Sequence, residues 1–287
     1  MRILVTGASG QLGKQACLGF AAKGDEVIAV GRAELDLSAP DTVADTVAAY
    51  KADWVINCAA YTQVDKAEDE PELAFRVNRD GARAVADGAR QANSRLLHVS
   101  TDFIFAGDRA LPYAEADTGT PISIYGQSKW EGEQAVCELL PEALIVRTAW
   151  VYGAHGSNFV KTMLRMMAER EEIRVVDDQI GTPSWTLDIV TAMRTLVEKD
   201  LSGTWNFTNE GVISWFDFAH EIISIAAQLG HPRKVRRLLP IPGREYPSAA
   251  KRPNYSVLSK EKIRPVLGYD IPHWRDSLQC MLAEMPL

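Results

Sequence analysis

The 287-residue sequence predicts a doubly wound α/β fold, a parallel sheet with helices on both faces. Three observations predict it. Five short apolar runs rich in branched residues recur through the first half: RILVT (Arg2–Thr6), EVIAV (Glu26–Val30), WVINC (Trp54–Cys58), RLLHVS (Arg95–Ser100) and ALIVRT (Ala143–Thr148). Segments of helical character separate them. The first run leads straight into Gly7-Ala-Ser-Gly10-Gln-Leu-Gly13. Strands that are apolar throughout are buried on both faces, and alternation with helices supplies the crossovers that parallel pairing needs.

The helical segments follow in order. Gln11–Lys23 ends at Gly24, and Thr42–Lys51 comes next. Over 72–93, Leu73, Val77, Ala84, Val85 and Ala89 repeat at helical spacing. Ile124–Leu140 stops before Pro141. After Tyr152 the pattern is less regular. Asn158–Glu169 and Trp215–Leu229 read as helices, Thr204–Phe207 is a short segment, and prolines mark the stretch Pro240–Pro253. The expected division is a dinucleotide-binding domain over 1–150 and a smaller mixed α/β domain over 151–287. The second is mainly substrate-binding, with some segments free to return to the first.

Composition narrows the function classes. Hydrophobic residues make up 46% and charged residues 24%, which suits a soluble globular protein with a sizeable core. A net charge of -7 argues against a nucleic-acid or acidic-membrane binder, which needs a basic face. Cys17, Cys58, Cys137 and Cys280 are scattered, form no CxxC and stand apart from the histidines. Neither a metal site nor a disulfide framework is expected, and reduced thiols fit a cytoplasmic protein. The N-terminus MRILVTGASG lacks a signal peptide's apolar stretch, and no run of about 18 apolar residues marks a membrane span.

The glycine loop carries the first chemistry. Gly7, Gly10 and Gly13 let the backbone turn tightly and approach a pyrophosphate at the N-terminus of the next helix. The spacing is GxxGxxG, and its place after the first strand of a Rossmann-like pattern points to a dinucleotide. At the end of the second run an acid would hold a ribose 2′-hydroxyl. This chain has Gly31-Arg32, and Arg32 can pair with a 2′-phosphate. The expected cofactor is therefore NADPH, with NADH as the alternative; a merely solvated Arg32 is the plainer reading. Asp36 and Leu37 follow and could line an adenine pocket.

Tyr125 has Lys129 four residues on, and no other tyrosine has a lysine at that distance. On a helix the two share a face. A nearby ammonium favours phenolate and so brings the tyrosine's pKa down toward working pH, where a general acid is most effective. Ser100, Thr101 and Asp102 fall where a strand ends, the place where ligands bind in open parallel sheets. Thr101 is a candidate hydroxyl donor to a developing oxyanion. For Ser100 a turn capping the strand end is the preferred reading.

With these motifs in order, the chain resembles the extended short-chain dehydrogenase/reductases, and among them the dTDP-4-dehydrorhamnose reductases. The resemblance covers almost the whole chain. It rests on TGASGQLG (Thr6–Gly13), NCAAYTQVDKAE (Asn57–Glu68), STDFIFAG (Ser100–Gly107), YGQSKWEGE (Tyr125–Glu133), RTAWVYG (Arg147–Gly153), NFVKTML (Asn158–Leu164) and RPNYSVL (Arg252–Leu258). It implies an enzyme that reduces the C4 ketone of a dTDP-4-keto-6-deoxy sugar with NADPH, for cell-surface polysaccharide. Tyr125 would be the proton donor, Lys129 its tuner and a ribose ligand, and Thr101 the third catalytic residue. Gly10, Gln11 and Leu12 would hold the pyrophosphate. Asp36 and Leu37 would lie near adenine, and Ala60, Tyr61 and Thr62 near the nicotinamide. Thr101, Asp102 and Trp150 would touch substrate, although Trp150 could equally be packing. Arg252 is the first candidate for the sugar diphosphate, ahead of Lys251, Arg236 and Arg237, and any of these could be a solvated charge.

Departures from the family pattern are Phe103 for a frequent tyrosine, Ala106 for aspartate and Cys58 for alanine. A 4,6-dehydratase of the superfamily would carry glutamate at the Phe103 position. An epimerase, or a non-catalytic subunit like that of methionine adenosyltransferase, remains as an alternative. Assembly as a homodimer is left open; Glu284 alone is not a metal site.

Overall fold

The computed structural model describes residues 1–285. Strands β1 (Arg2–Thr6), β2 (Glu26–Val30), β3 (Trp54–Asn57), β4 (Arg95–Thr101) and β5 (Leu144–Thr148) match the five apolar runs to within a residue. Between them lie α1 (Gln11–Ala21), α2 (Pro40–Ala49), α3 (Val64–Asp69), α4 (Pro71–Phe75), α5 (Ala82–Gln91) and α6 (Ile124–Leu139). The second half adds β6 (Val151–Tyr152), α7 (Phe159–Glu169), β7 (Glu172–Val176), β8 (Ile180–Gly181), β9 (Ser184–Trp185), α8 (Thr186–Glu198), β10 (Gly203–Asn206), β11 (Ile213–Ser214), α9 (Trp215–Gln228), β12 (Arg237–Ile241), α10 (Arg264–Leu267) and α11 (Trp274–Ala283).

The central sheet has six parallel strands in the order β10-β5-β4-β3-β1-β2. Successive side chains point to opposite faces. Ile3, Val5, Ile56, Leu97 and Val146 pack with Phe20, Ile189 and Met193 on one face. Leu4, Val55, Leu96 and Ile145 pack with Val43, Val47, Val85 and Ala89 on the other. The register aligns Thr6 with Val30 and Asn57, Asn57 with His98, and Thr101 with Thr148. The carboxyl ends of the strands thus open along one edge, where the site forms.

One feature corrects the sequence reading. The helix expected over 72–93 is interrupted: α4 and α5 are joined by a π-helical turn over Arg76–Gly81. The strand β10 and helix α8, from the second half, complete the first-half sheet. Gly19 of α1 meets Val190 of α8 so closely that a Cβ there would overlap it. Helix α8 is rich in β-branched residues, which lower helix propensity, and burial of Ile189, Val190 and Val197 outweighs this.

A second core gathers Tyr152, Val160, Met163, Phe218, Ile222, Trp274 and Leu278. Three two-stranded sheets border it: β12-β7, β11-β8 and β6-β9. Ser214 and Asp217 form a capping box that starts α9, and Asn158 caps α7. Among the described residues no helix is long and apolar enough to cross a membrane.

Candidate active site

The glycine loop is built by steric necessity. Gly7 has φ +64°, and a Cβ there would sit 2.7 Å from the Ala59 backbone. A Cβ on Gly13 would fall on the Gly7 carbonyl oxygen. Gly10 N–H donates to Gly7 O (2.9 Å), closing the turn. The N-cap Gly10 has no side-chain cap, so N–H groups of the first turn of α1 are left to bind an anion. A cradle with no room for a Cβ at Gly7 or Gly13 that ends on a helix N-terminus fits a pyrophosphate. Gln11 reaches across to the second half, donating to Val151 O (3.2 Å) and accepting from Asn158 Nδ2 (3.4 Å).

At the end of β2 the expectation of no acid is corrected. Glu34 folds back, and its carboxylate accepts from Gly31 N–H (3.0 Å). Arg32 is 75% exposed and lies 3.4 Å from Asp36. Asp36 also accepts from Ser38 N and Oγ, and these bonds, chiefly the backbone one, hold its carboxyl below the usual range. Leu37 is buried against Gly81. A carboxylate that returns through a three-residue turn is not visible from spacing along a strand.

The loop after β3 carries Ala60, Tyr61 and Thr62. Asn78, in the π-helical turn, accepts from Tyr61 N (2.8 Å) and donates to Tyr61 O (3.1 Å) and to Ser128 Oγ (2.9 Å). It ties this loop to α6. Such a turn inserts one residue into a helix and re-aims a side chain. Here it re-aims Asn78, which the sequence reading missed because the apolar spacing runs on through the turn.

Ser123 caps α6, accepting from Gly126 N (3.2 Å), and so sets Tyr125 in the first turn. Tyr125 is 9% exposed and meets Phe103 edge-on at 5.5 Å. Burial pushes its hydroxyl up to about 12; the Thr101 hydroxyl pulls the other way, and the Asp102 charge adds to the rise. Lys129 is 2% exposed. Its Nζ donates to Val99 O of β4 (2.7 Å) and lies 3.5 Å from His98 Nε2. Burial draws its pKa down to about 8, with Glu133 and Cys58 opposing. The expectation that Lys129 lowers the tyrosine's pKa is therefore corrected for the protein without ligands. The lysine crosses to a strand carbonyl, and desolvation dominates both groups.

Thr101 Oγ1 accepts from Phe103 N (3.2 Å) and donates to Asp102 Oδ1 (3.1 Å). Thr101 rather than Ser100 caps the strand end. Ser100 Oγ is buried without a partner among the described residues. Asp102 is buried, and desolvation raises its carboxyl to about 6, with bonds from Ser256 and Thr101 opposing. Its Oδ2 has no hydrogen-bond partner among the described residues.

Trp150 adopts φ +47°, a left-handed conformation uncommon for a bulky residue, and stacks on Trp215 at 3.6 Å. A Cβ on Gly181 would strike its indole. Trp150 therefore packs, with part of its surface open. Arg252 is paired with Asp65 of α3 (2.6 Å). Asp65 also accepts from Ser248 Oγ (2.8 Å) and Ala250 N (3.2 Å), so one carboxylate pins the segment 248–252 beside the Tyr61 loop. Arg236 and Arg237 lie at the start of β12, where Arg237 pairs with Glu172 on the surface. Lys251 is exposed.

The doubly wound sheet, the glycine cradle and the Tyr125–Lys129 helix define a short-chain dehydrogenase/reductase. Residues 1–286 match the family model described as RmlD substrate binding domain. The chain is 40% identical over 286 residues to a dTDP-4-dehydrorhamnose reductase of Sinorhizobium fredii, covering 96% of this chain and 95% of that one. It is 38% identical over 278 residues to a dTDP-4-keto-6-deoxy-D-glucose reductase of Streptomyces niveus, covering 96% and 95%. Its fold is similar to the crystal structure of a Bacillus anthracis dTDP-4-dehydrorhamnose reductase in complex with NADP, with TM-score 0.93, 40% identity and 99% of both chains covered. The chain belongs to the dTDP-4-dehydrorhamnose reductase family.

Proposed function

We propose that the protein reduces the C4 ketone of dTDP-4-dehydro-L-rhamnose to dTDP-L-rhamnose with NADPH. Family membership supports this reading, and one observation carries it: Tyr125, Thr101 and Asp102 converge at the carboxyl edge of the sheet, the same edge from which the glycine loop leaves β1. A bound nicotinamide supplies the hydride. Gly7, Gly10, Gln11, Leu12 and Gly13 hold the pyrophosphate. Arg32 faces the 2′-phosphate, Asp36 and Leu37 the adenine, and Ala60–Thr62 the nicotinamide.

Tyr125 holds a proton at its hydroxyl. A site that keeps this pKa high also keeps the proton in place until the substrate oxygen becomes the stronger base. Thr101 shares the developing negative charge. Lys129, one turn along α6, offsets the phenolate left on Tyr125. The unpartnered Asp102 Oδ2 accepts a sugar hydroxyl, and Trp150 borders the nucleoside. Arg252 turns from Asp65 to the diphosphate. In this reading 1–150 with β10 and α8 binds cofactor, and the rest of 151–287 binds substrate. The enzyme acts in the cytoplasm, and its product supplies cell-surface polysaccharide.

The test is consumption of NADPH with dTDP-4-dehydro-L-rhamnose, with the product identified by NMR. Formation of dTDP-L-rhamnose supports the reading. The Streptomyces relative favours one second reading, reduction of a dTDP-4-keto-6-deoxyglucose instead. Turnover confined to that sugar would establish it.

A further inference from the structure

A chain of buried polar groups runs across β1, β3 and β4 to Lys129 of α6. Thr6 Oγ1 donates to Asn57 Oδ1 (2.6 Å), and Ala59 N–H donates to the same oxygen (3.2 Å). Asn57 Nδ2 lies 2.9 Å from His98 Nδ1, and His98 Nε2 lies 3.5 Å from Lys129 Nζ. Thr6, Asn57, His98 and Lys129 are each 2% exposed or less.

The proton positions in this chain follow from one backbone group. The Ala59 N–H can only donate, so the Asn57 atom facing it is the oxygen. The amide nitrogen then faces His98 and has only hydrogens to offer. His98 Nδ1 must accept, and a neutral imidazole with a bare Nδ1 carries its proton on Nε2. That N–H points at Lys129. An ammonium also presents only hydrogens, whereas a neutral amine presents a lone pair. An imidazolium would oppose Asn57 and Lys129 together; burial and the lysine charge hold His98 well below its ordinary range.

We propose that Asn57 and His98 are positioning residues that fix an Nε2–H dipole against Lys129 and so hold the lysine poised between ammonium and amine. The other groups facing Lys129 do not restore the ammonium's advantage. Glu133, on the same helix, is taken by Arg147 (2.7 Å), both nearly fully buried. The Cys58 thiol, after β3, is pushed up to about 12 by burial and is neutral. Tyr125 is likewise neutral. Among the described residues only the Val99 carbonyl accepts from the lysine. Burial is the main cause that draws the Lys129 pKa down to about 8, with Glu133 and Cys58 opposing, and the Nε2–H dipole would act in the same direction as burial. The functional consequence rests on the reductase reading. The positive charge that offsets the Tyr125 phenolate is lost as pH rises through about 8, so activity falls there rather than near the free lysine value.

The tautomer is tested in the 15N-labelled protein, without cofactor or substrate, by imidazole nitrogen NMR. Among the five histidines, His98 is assigned by its absence in His98→Phe, or in His98→Gln if the former does not fold. The expected result is a neutral Nε2–H ring through neutral pH. A neutral Nδ1–H ring or an imidazolium overturns the proposal, whatever the protein reduces. Asn57→Asp gives Nδ1–H an acceptor and turns Nε2 into an acceptor for the ammonium. The Lys129 titration, read from its 13Cε shift, and the basic limb of kcat/KM should then both rise by roughly one pH unit. In a His98→Phe background the same Asn57→Asp change should move the lysine titration far less, because the ring that transmits it is gone. An equal shift in both backgrounds would show plain charge attraction and overturn the positioning role.

Discussion

The glycine loop and the 248–252 segment are held in place by different means. The loop is held by backbone against backbone: Gly7 against Ala59, Gly13 against Gly7, with the register of β1 against β3 behind them. Side chains add only Gln11, which bonds to Val151 and Asn158, and Asn57, which accepts from Ala59 N–H. The 248–252 segment is held by a single carboxylate, Asp65, which takes a hydroxyl, an amide and a guanidinium. Its partner Arg252 keeps 24% of its side-chain surface exposed and Asp65 keeps 45%, so solvent screens the pair. In the proposed function the cofactor side is thus prebuilt and intolerant of change, and the substrate side is a polar clasp that can exchange partners at small cost.

The comparison predicts unequal responses to substitution. Gly13→Ala should have the largest effect. Its Cβ meets backbone that cannot yield, so stability should fall by about 1–3 kcal/mol or more, and NADPH titration should show binding largely lost. Asn78→Ala leaves the Tyr61 backbone and Ser128 short of partners; a loss of about 1–3 kcal/mol is expected in denaturant melts. Arg252→Ala should leave the melting temperature nearly unchanged and raise KM for the nucleotide sugar about tenfold, as for one lost charge-assisted contact of about 1.4 kcal/mol. A large loss of stability in that variant would show the clasp to be structural. Glu34→Gln should have the smallest effect. Removing a negative charge beside Gly31 should lower KM for NADPH a few-fold while leaving NADH unchanged. Equal improvement for both cofactors would place Glu34 away from the 2′ position.

The same contrast explains what could be read from the amino-acid order. The strands and the glycine loop were legible because each is a local pattern: an unbroken apolar run of strand length, then glycines where the chain must turn. Helix α6 was legible from Ile124 to the proline after it. The rest depends on distant partners. Arg252 and Asp65 are 187 positions apart, and nothing near either one announces the other. The π-helical turn lies inside a continuous helical pattern and shows itself only through Tyr61 and Ser128. Helix spacing put Lys129 on the face of Tyr125. It could not reveal the Val99 carbonyl or His98 on β4, which lie against the lysine's Nζ.

The central claim is that Tyr125 donates the proton in a site whose cofactor side is already built. The most direct test is Tyr125→Phe, with NADPH affinity and kcat/KM for dTDP-4-dehydro-L-rhamnose measured on the same preparation. The account predicts unchanged NADPH binding and a fall in kcat/KM of about 10²–10⁴-fold. Turnover within a few-fold of the unaltered protein would contradict it and move the acid elsewhere in the cleft.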